Sequence, residues 1–338
     1  MSLSAPVFVT GGTGLVGSYV LRYLLHSGHT TVRALRRRDS SLHLVSDLQD
    51  RVAWLTGDLF DTDVLERGMR AAETVYHCAA SIDHSPGGRA AMRRTNVQGT
   101  ASVVNAALHE EVRHLCYVSS IAAIGRRPQL ADIDERTEWK EDAWNSAYAV
   151  SKRDGELEVR RGEAEGLWVL IVNPSLVMGP GQWDRGMPRW FANIDKGMRF
   201  YPPGGGGFVD VRDVAEFAVR AIGEHRFGER YILNAVNLPY RTVMDTIAEL
   251  LDRPKPRTAV TPLLKSAAWR WEGLRAAVSN HTPLVTRETA ENSMRTFRYD
   301  GRAATRALDF TYRDWRESLR AMTACYRSPA DAPCFLPF

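Results

Sequence analysis

The sequence predicts an α/β protein: a doubly wound parallel sheet with helices on both faces, followed by a smaller, mostly helical C-terminal region. Apolar runs of strand length alternate with helical patterns through the first half of the 338 residues. A glycine-rich turn joins the first strand to the first helix, and after Pro174 the alternation gives way to loops and helices. Strands that alternate with helices bury both faces of a parallel sheet, and ligands bind beyond the carboxyl ends of its strands.

The first strand, 7–9, runs into Thr10-Gly11-Gly12-Thr13-Gly14-Leu15-Val16-Gly17 and then into a helix over 15–27. The first glycine permits a tight turn, and the second lets backbone amides approach phosphate oxygens. The third lets the helix pack closely, and the helix N-terminus faces the anion. This is the signature of a Rossmann-type dinucleotide site. Further strands are expected at 31–35, 52–55, 74–78, 115–119 and 168–172, with helices over 62–69, 92–109 and 147–165. Beyond Pro174, Met178-Gly179-Pro180-Gly181 and the run from Tyr201 to Gly207 are expected as loops. Helices are expected over 211–222, 240–251, 263–279 and 312–325, short strands near 231–234 and 257–260, and an irregular tail over the last ten residues. Residues 1–173 form the expected nucleotide-binding domain, with 208–235 returning to it, and 174–330 the substrate-binding region.

A net charge of +4 is too small for a nucleic-acid surface. The sequence has no basic-then-apolar signal and no apolar run of about 18 residues, so a cytoplasmic protein without a membrane partner is expected. Cys78, Cys116, Cys325 and Cys334 show no metal-ligand spacing, and no metal is expected; two of them sit in strand-like runs as buried reduced thiols.

Tyr148 and Lys152 stand four apart on a predicted helix and project from one face. An ammonium near a phenol favours phenolate, which lowers a pKa of about 10 towards the range of an acid/base catalyst. The strand before them ends in Ser119-Ser120, whose side chains point to opposite faces, so spacing alone does not choose between the two. The second strand ends Arg36-Arg37-Arg38, with no acid before Asp39. An acid there suits the ribose 2′-hydroxyl of NAD, whereas arginine suits the 2′-phosphate of NADP.

With these motifs in order, the chain resembles the extended short-chain dehydrogenase/reductase superfamily over roughly residues 5–325. The resemblance also rests on Gly57-Asp58-Leu59, His77-Cys78-Ala79-Ala80, Asn96-Val97-Gln98-Gly99-Thr100, Asn173-Pro174-Ser175 and Phe208-Val209-Asp210-Val211. It implies Tyr148 as general acid or base and Lys152 on the nicotinamide ribose. It picks Ser120, five positions before Gly125, to polarise the carbonyl. Thr10, Gly11, Gly14, Leu15, Val16, Asp58, Leu59, Ala79, Ala80, Ser81, Val118, Pro174 and Val177 would line the cofactor. Arg36 and Arg37 would meet the 2′-phosphate, making NADP the expected cofactor and NAD the alternative. Asn96 would support the active-site strand or act directly.

Departures from the family pattern narrow the activity. Ile121-Ala122 replaces the Asp-Glu pair of the 4,6-dehydratases, Leu176 replaces an asparagine common in sugar-nucleotide enzymes, and Gly204 to Gly207 replace a diphosphate-binding arginine segment. The expected reaction is therefore reversible NADP-linked reduction of a ketone or aldehyde of a small to medium apolar compound. Ser81, Met178, Trp183, Trp190 and Phe191 are candidate substrate-lining residues. The alternatives are a nucleotide-sugar epimerase with tightly held NAD, and a non-enzymatic NADPH-binding regulator. A homodimer is expected through the outward faces of the helices near 92–109 and 147–165, with Ala101, Val104, Leu108, Ala149 and Leu157 at the contact.

Overall fold

The computed structural model describes residues 3–83, 87–125, 132–141, 145–266, 269–271, 287–328 and 334–338. Its centre is a seven-stranded, all-parallel sheet of β1 (Val7–Thr10), β2 (Val32–Arg36), β3 (Ala53–Thr56), β4 (Thr74–His77), β5 (His114–Val118), β6 (Trp168–Pro174) and β10 (Arg230–Leu233). The strand order β10-β6-β5-β4-β1-β2-β3 reverses direction between β1 and β4. That reversal opens a crevice at the carboxyl ends of these two strands.

Side chains alternate across each strand and build two apolar layers. Val7, Val9, Leu170 and Val172 face α1 (Leu15–His26) and α7 (Val211–Gly223). Phe8, Val75, Leu115 and Ile171 face α2 (Thr62–Met69), α4 (Gly99–His109) and α5 (Ala147–Ala164). Near-continuous apolar strands are what burial on both faces requires.

The C-terminal region adds α6 (Arg189–Asp195), α8 (Tyr240–Leu251) and the helix Trp315–Arg327, around an apolar core of its own. It also contains the short β8 (Phe200–Tyr201), paired with Thr258–Ala259, and a three-stranded sheet of β7 (Leu176–Met178), β9 (Gly205–Asp210) and β11 (Val236–Pro239), in the order β11-β9-β7. The glycines from Gly205 onward, expected as loop, are therefore strand. A Cβ at Gly205 would stand 2.8 Å from the Leu238 carbonyl, and one at Gly204 would overlap the carbonyl of Arg295. Here glycine serves close backbone packing instead of a turn.

Other expectations are corrected too. The predicted helix over 92–109 is three pieces: α3 (Arg89–Arg93), a π-helical turn Arg94–Gln98, and α4. Most of the predicted helix over 263–279 lies outside the described residues. Val104 and Ala149, expected on an outward dimer face, are both 0% exposed inside the subunit. Cys325 and Cys334 form a disulfide, while Cys78 and Cys116 are free. That disulfide ties residues 334–338 to the helix Trp315–Arg327, and they are anchored further: Leu336 N–H donates to Tyr19 Oη at 2.8 Å, and Phe338 meets Tyr23 edge-on at 4.9 Å. Among the described residues, no helix is long and apolar enough to cross a membrane.

Candidate active site

The β1–α1 turn and the start of α1 leave no room for a side chain at Gly11 or Gly17. Gly11 has φ +70°, and a Cβ there would stand 2.5 Å from the Ala79 amide nitrogen at the end of β4. A Cβ on Gly17 would overlap the Gly11 carbonyl. The turn is closed by Gly14 N–H donating to Gly11 O at 3.0 Å. No side chain caps α1, and its first turn carries no acid, so the amides around Leu15 and Val16 and the positive end of the helix dipole suit an anion. The Gly179-Pro180-Gly181 turn lies against the same helix start: a Cβ on Gly179 would stand 3.2 Å from Leu15 Cδ1.

Across the crevice, Thr10 is turned inward. Thr100 Oγ1 donates to Asn96 O at 2.7 Å, so it accepts from His77 Nε2 at 3.0 Å. That leaves His77 Nδ1 to accept from Thr10 Oγ1 at 2.6 Å. Burial, and then the Lys152 charge, push the His77 pKa down to about 3, so the ring is neutral. Thr10 and His77 thereby join β1 to β4 directly beneath Ala79, which is half-buried, and the exposed Ala80.

A cavity of about 850 Å³ opens at the carboxyl ends of β2 and β3, lined among others by Arg37, Arg38, Asp39, Gly57, Asp58 and Phe60. Arg37 is exposed and pairs loosely with Asp39 at 3.3 Å. Arg36 turns away from the cavity, donating to Gln49 Oε1 at 3.4 Å and lying 5.9 Å from the Trp54 ring centroid. Arg38 takes a lining position that sequence reasoning did not single out. The Leu59 side chain is buried against Gly99, while Asp58 is exposed.

α5 starts at Ser146, whose hydroxyl accepts from Ala149 N–H at 3.1 Å. This puts the half-buried Tyr148 in the first turn and Lys152 one turn on, only 1% exposed. Lys152 Nζ donates to Val118 O at 2.9 Å and stands 4.3 Å from the Tyr117 ring centroid. Burial pulls its pKa down to about 8, against the opposing pull of Glu156 and then Cys78. Ser120 begins the 3₁₀ turn Ile121–Ala123, against which α5 packs. Its hydroxyl accepts from Ala122 N–H at 3.1 Å, which leaves the O–H to donate. Ser119 is buried, whereas Ser120 is partly exposed, so the fold separates the two serines.

Asn96 lies in the π-helical turn, a feature often found at functional sites. Its Oδ1 accepts from Ser81 N–H at 2.7 Å, and its Nδ2 donates to Ser81 O at 2.9 Å and to Ser151 Oγ at 3.0 Å. Its amide thus pins the post-β4 segment against α5.

Pro174, at the end of β6, is buried opposite Leu233, and Val177 is half-buried in β7. Met178 and Phe191 are 0% exposed in the C-terminal core, so packing accounts for both and neither lines an open surface. Trp183 meets Tyr326 edge-on at 4.9 Å, and Trp190 meets Tyr240 edge-on at 5.7 Å; both tryptophans are half-buried.

A glycine turn that excludes a Cβ at Gly11, set at a strand-order reversal with an uncapped helix above it, defines a dinucleotide-binding α/β protein. Comparison with known proteins agrees. The NAD dependent epimerase/dehydratase family matches residues 7–235. A Synechocystis sp. protein provisionally named a dihydroflavonol 4-reductase is 30% identical, covering 92% of each chain. Sterol demethylase protein B of Methylococcus capsulatus is 33% identical over 76% of this chain and 77% of its own. The crystal structure of gox2253 superimposes with a TM-score of 0.80 at 29% identity, covering 96% of this chain and 98% of that one. The chain therefore belongs to the NAD dependent epimerase/dehydratase family, within the extended short-chain dehydrogenases/reductases, and is a nicotinamide-dependent oxidoreductase.

Proposed function

We propose that the protein reversibly reduces a ketone or aldehyde of a small to medium apolar compound to the alcohol, with NADP as cofactor. The observation that carries this reading is the packing of α5, whose first two turns bear Tyr148 and Lys152, against the 3₁₀ turn that Ser120 begins, with Lys152 Nζ bonded to the carbonyl of Val118 two residues before Ser120. The nicotinamide, when bound, supplies or accepts the hydride. Ser120 donates a hydrogen bond from its hydroxyl to the substrate oxygen without giving up the proton, and Tyr148 transfers the one proton to that oxygen in reduction or removes it in oxidation. Lys152 holds the ribose hydroxyls and keeps a positive charge near the phenol.

Arg37, with Arg38 beside it, would take the 2′-phosphate. An exposed ion pair such as Arg37–Asp39 contributes little, so a dianionic phosphate displaces Asp39 readily. The reductase name of the Synechocystis relative supports the reaction class. So does the glycine strand at Gly205–Asp210, which offers a substrate diphosphate no cation from its first residues. A homodimer over α4 and α5 goes with the exposed Val150 and Leu157, 39% and 50% accessible.

A panel of carbonyl compounds and alcohols, followed by absorbance of the reduced nicotinamide, tests the reaction. Turnover with NADPH that Tyr148→Phe abolishes is the expected result. Release of tightly held NAD from the purified protein, with activity independent of added cofactor, would replace the reading with an epimerase.

A further inference from the structure

Behind the reacting face, three polar side chains from distant segments meet in the interior. Glu156 lies one turn beyond Lys152 on α5 and is 0% exposed. Its Oε1 accepts a 2.6 Å hydrogen bond from Asn173 Nδ2 in β6, and its Oε2 lies 3.4 Å from the Arg230 guanidinium at the start of β10. The same Asn173 amide donates to the Ser120 carbonyl at 2.9 Å. A buried carboxylate needs both a counter-charge and hydrogen bonds. Arg230 supplies the charge from the lining of a second cavity of about 550 Å³.

We propose that Glu156 is a positioning residue for the reaction: through Asn173 it fixes the Ser120 main chain, and with its own charge it holds Lys152 as the ammonium. This rests on the reading of Ser120, Tyr148 and Lys152 given above.

The Asn173 amide aims its N–H groups at two acceptors, Ser120 O and Glu156 Oε1. Turned over, it would set its oxygen against both, so the carboxylate decides which way the amide faces. The groups facing Lys152 are His77 and Cys78 from β4 and its end, Tyr117 from β5, and Glu156 from α5, on which Tyr148 stands one turn before Lys152. His77 is neutral above about pH 3, burial pushes the Cys78 thiol up to about 12, and burial raises the Tyr117 phenol as well. Among the described residues, Glu156 is thus the one carboxylate that acts on Lys152.

The test uses NADPH as the probe, its binding followed by fluorescence from pH 7 to 10, together with kcat and KM for reduction of an aryl aldehyde. Glu156→Gln removes the charge and keeps the shape. The alkaline midpoint of NADPH binding should fall by about one pH unit and kcat by about tenfold, with KM much less affected. Arg230→Gln leaves the carboxylate less neutralised, so its midpoint should move the opposite way, upward. A purely structural role would destabilise both variants without shifting the midpoints in opposite senses. The double variant Glu156→Gln/Arg230→Gln covers the case in which the single one fails to fold, and its midpoint should still lie below that of the parent. An unmoved midpoint in the Glu156 variants, or shifts of one sign in the two single variants, overturns the proposal. Tyr148→Phe separates the two levels. If it retains turnover, the catalytic reading fails. If it loses turnover while the Glu156 midpoint stays put, the Glu156 proposal alone fails.

Discussion

The nucleotide-binding and C-terminal regions are built from opposite materials. On the cofactor side the decisive elements are places with no side chain: Gly11 against Ala79, Gly17 against Gly11, and the bare start of α1. On the C-terminal side they are large rings packed on one another, with Trp183 against Phe191 and Tyr326, and Trp190 against Phe208 and Tyr240. A backbone cradle fixes one ligand shape and tolerates almost no substitution. An aromatic wall can be re-cut residue by residue, because volume-conserving swaps repack at small cost. A shared cofactor and variable substrates would follow from that division.

The sharpest way to break the contrast is Gly11→Val. A β-branched residue would have to sit at φ +70° with its Cβ 2.5 Å from a backbone nitrogen that cannot move away. NADPH binding by calorimetry should be lost, and the melting temperature should fall as well. A variant that binds NADPH normally would remove the cradle argument.

Next in size is Tyr148→Phe, which keeps the ring and removes the transferable proton. Single-turnover hydride transfer at saturating NADPH should slow by about 10²–10⁴-fold while NADPH affinity survives. A rate close to the parent's would dismiss Tyr148 as the acid.

Trp190→Leu probes the other region. Loss of its edge-on contacts with Phe208 and Tyr240 should lower stability by about 1–3 kcal/mol in denaturant unfolding. NADPH affinity should not change, and substrate preference should. A large loss of NADPH affinity would show that the two regions are not separable.

The smallest effect belongs to Arg37→Ala. Losing one charge-assisted partner should weaken NADPH binding by about 1.5–3 kcal/mol and leave NADH binding unchanged. Equal affinity of the parent protein for both cofactors would contradict the 2′-phosphate assignment.

What could be read in the sequence was what is local along the chain. The glycine turn, the Tyr148–Lys152 pair and the alternation of strands and helices each depend on spacings of two to four residues, and they fold where those spacings say. Parallel strands betray themselves by unbroken apolar runs. The rest depends on residues that meet only after folding. Glu156, Asn173 and Arg230 come from three elements, and nothing in their spacing announces a cluster, although Glu156 does continue the Tyr148–Lys152 stripe by one more turn. Gly205 to Gly207 misled because glycine usually signals a turn, while here the Leu238 backbone and the Tyr240 and Asn234 side chains lie against them. The joining of Cys325 to Cys334, and the seating of Phe338 on Tyr23, were hidden for the same reason.

Enclosing the Lys152 ammonium also sets the protein's stability against its chemistry. As the lysine moves from water into the fold, its pKa falls from 10.5 to about 8. Between those values the unfolded chain binds the proton more tightly than the native one, so stability rises as the medium is made more alkaline, and below about pH 8 the whole penalty is present. Its size is roughly 3 kcal/mol, a large share of the net stability of an ordinary domain. Near neutral pH the buried ammonium therefore costs stability at the centre of the fold. On the role proposed for Lys152, replacing it with methionine should raise the melting temperature near neutral pH and abolish turnover, the usual exchange between robustness and activity.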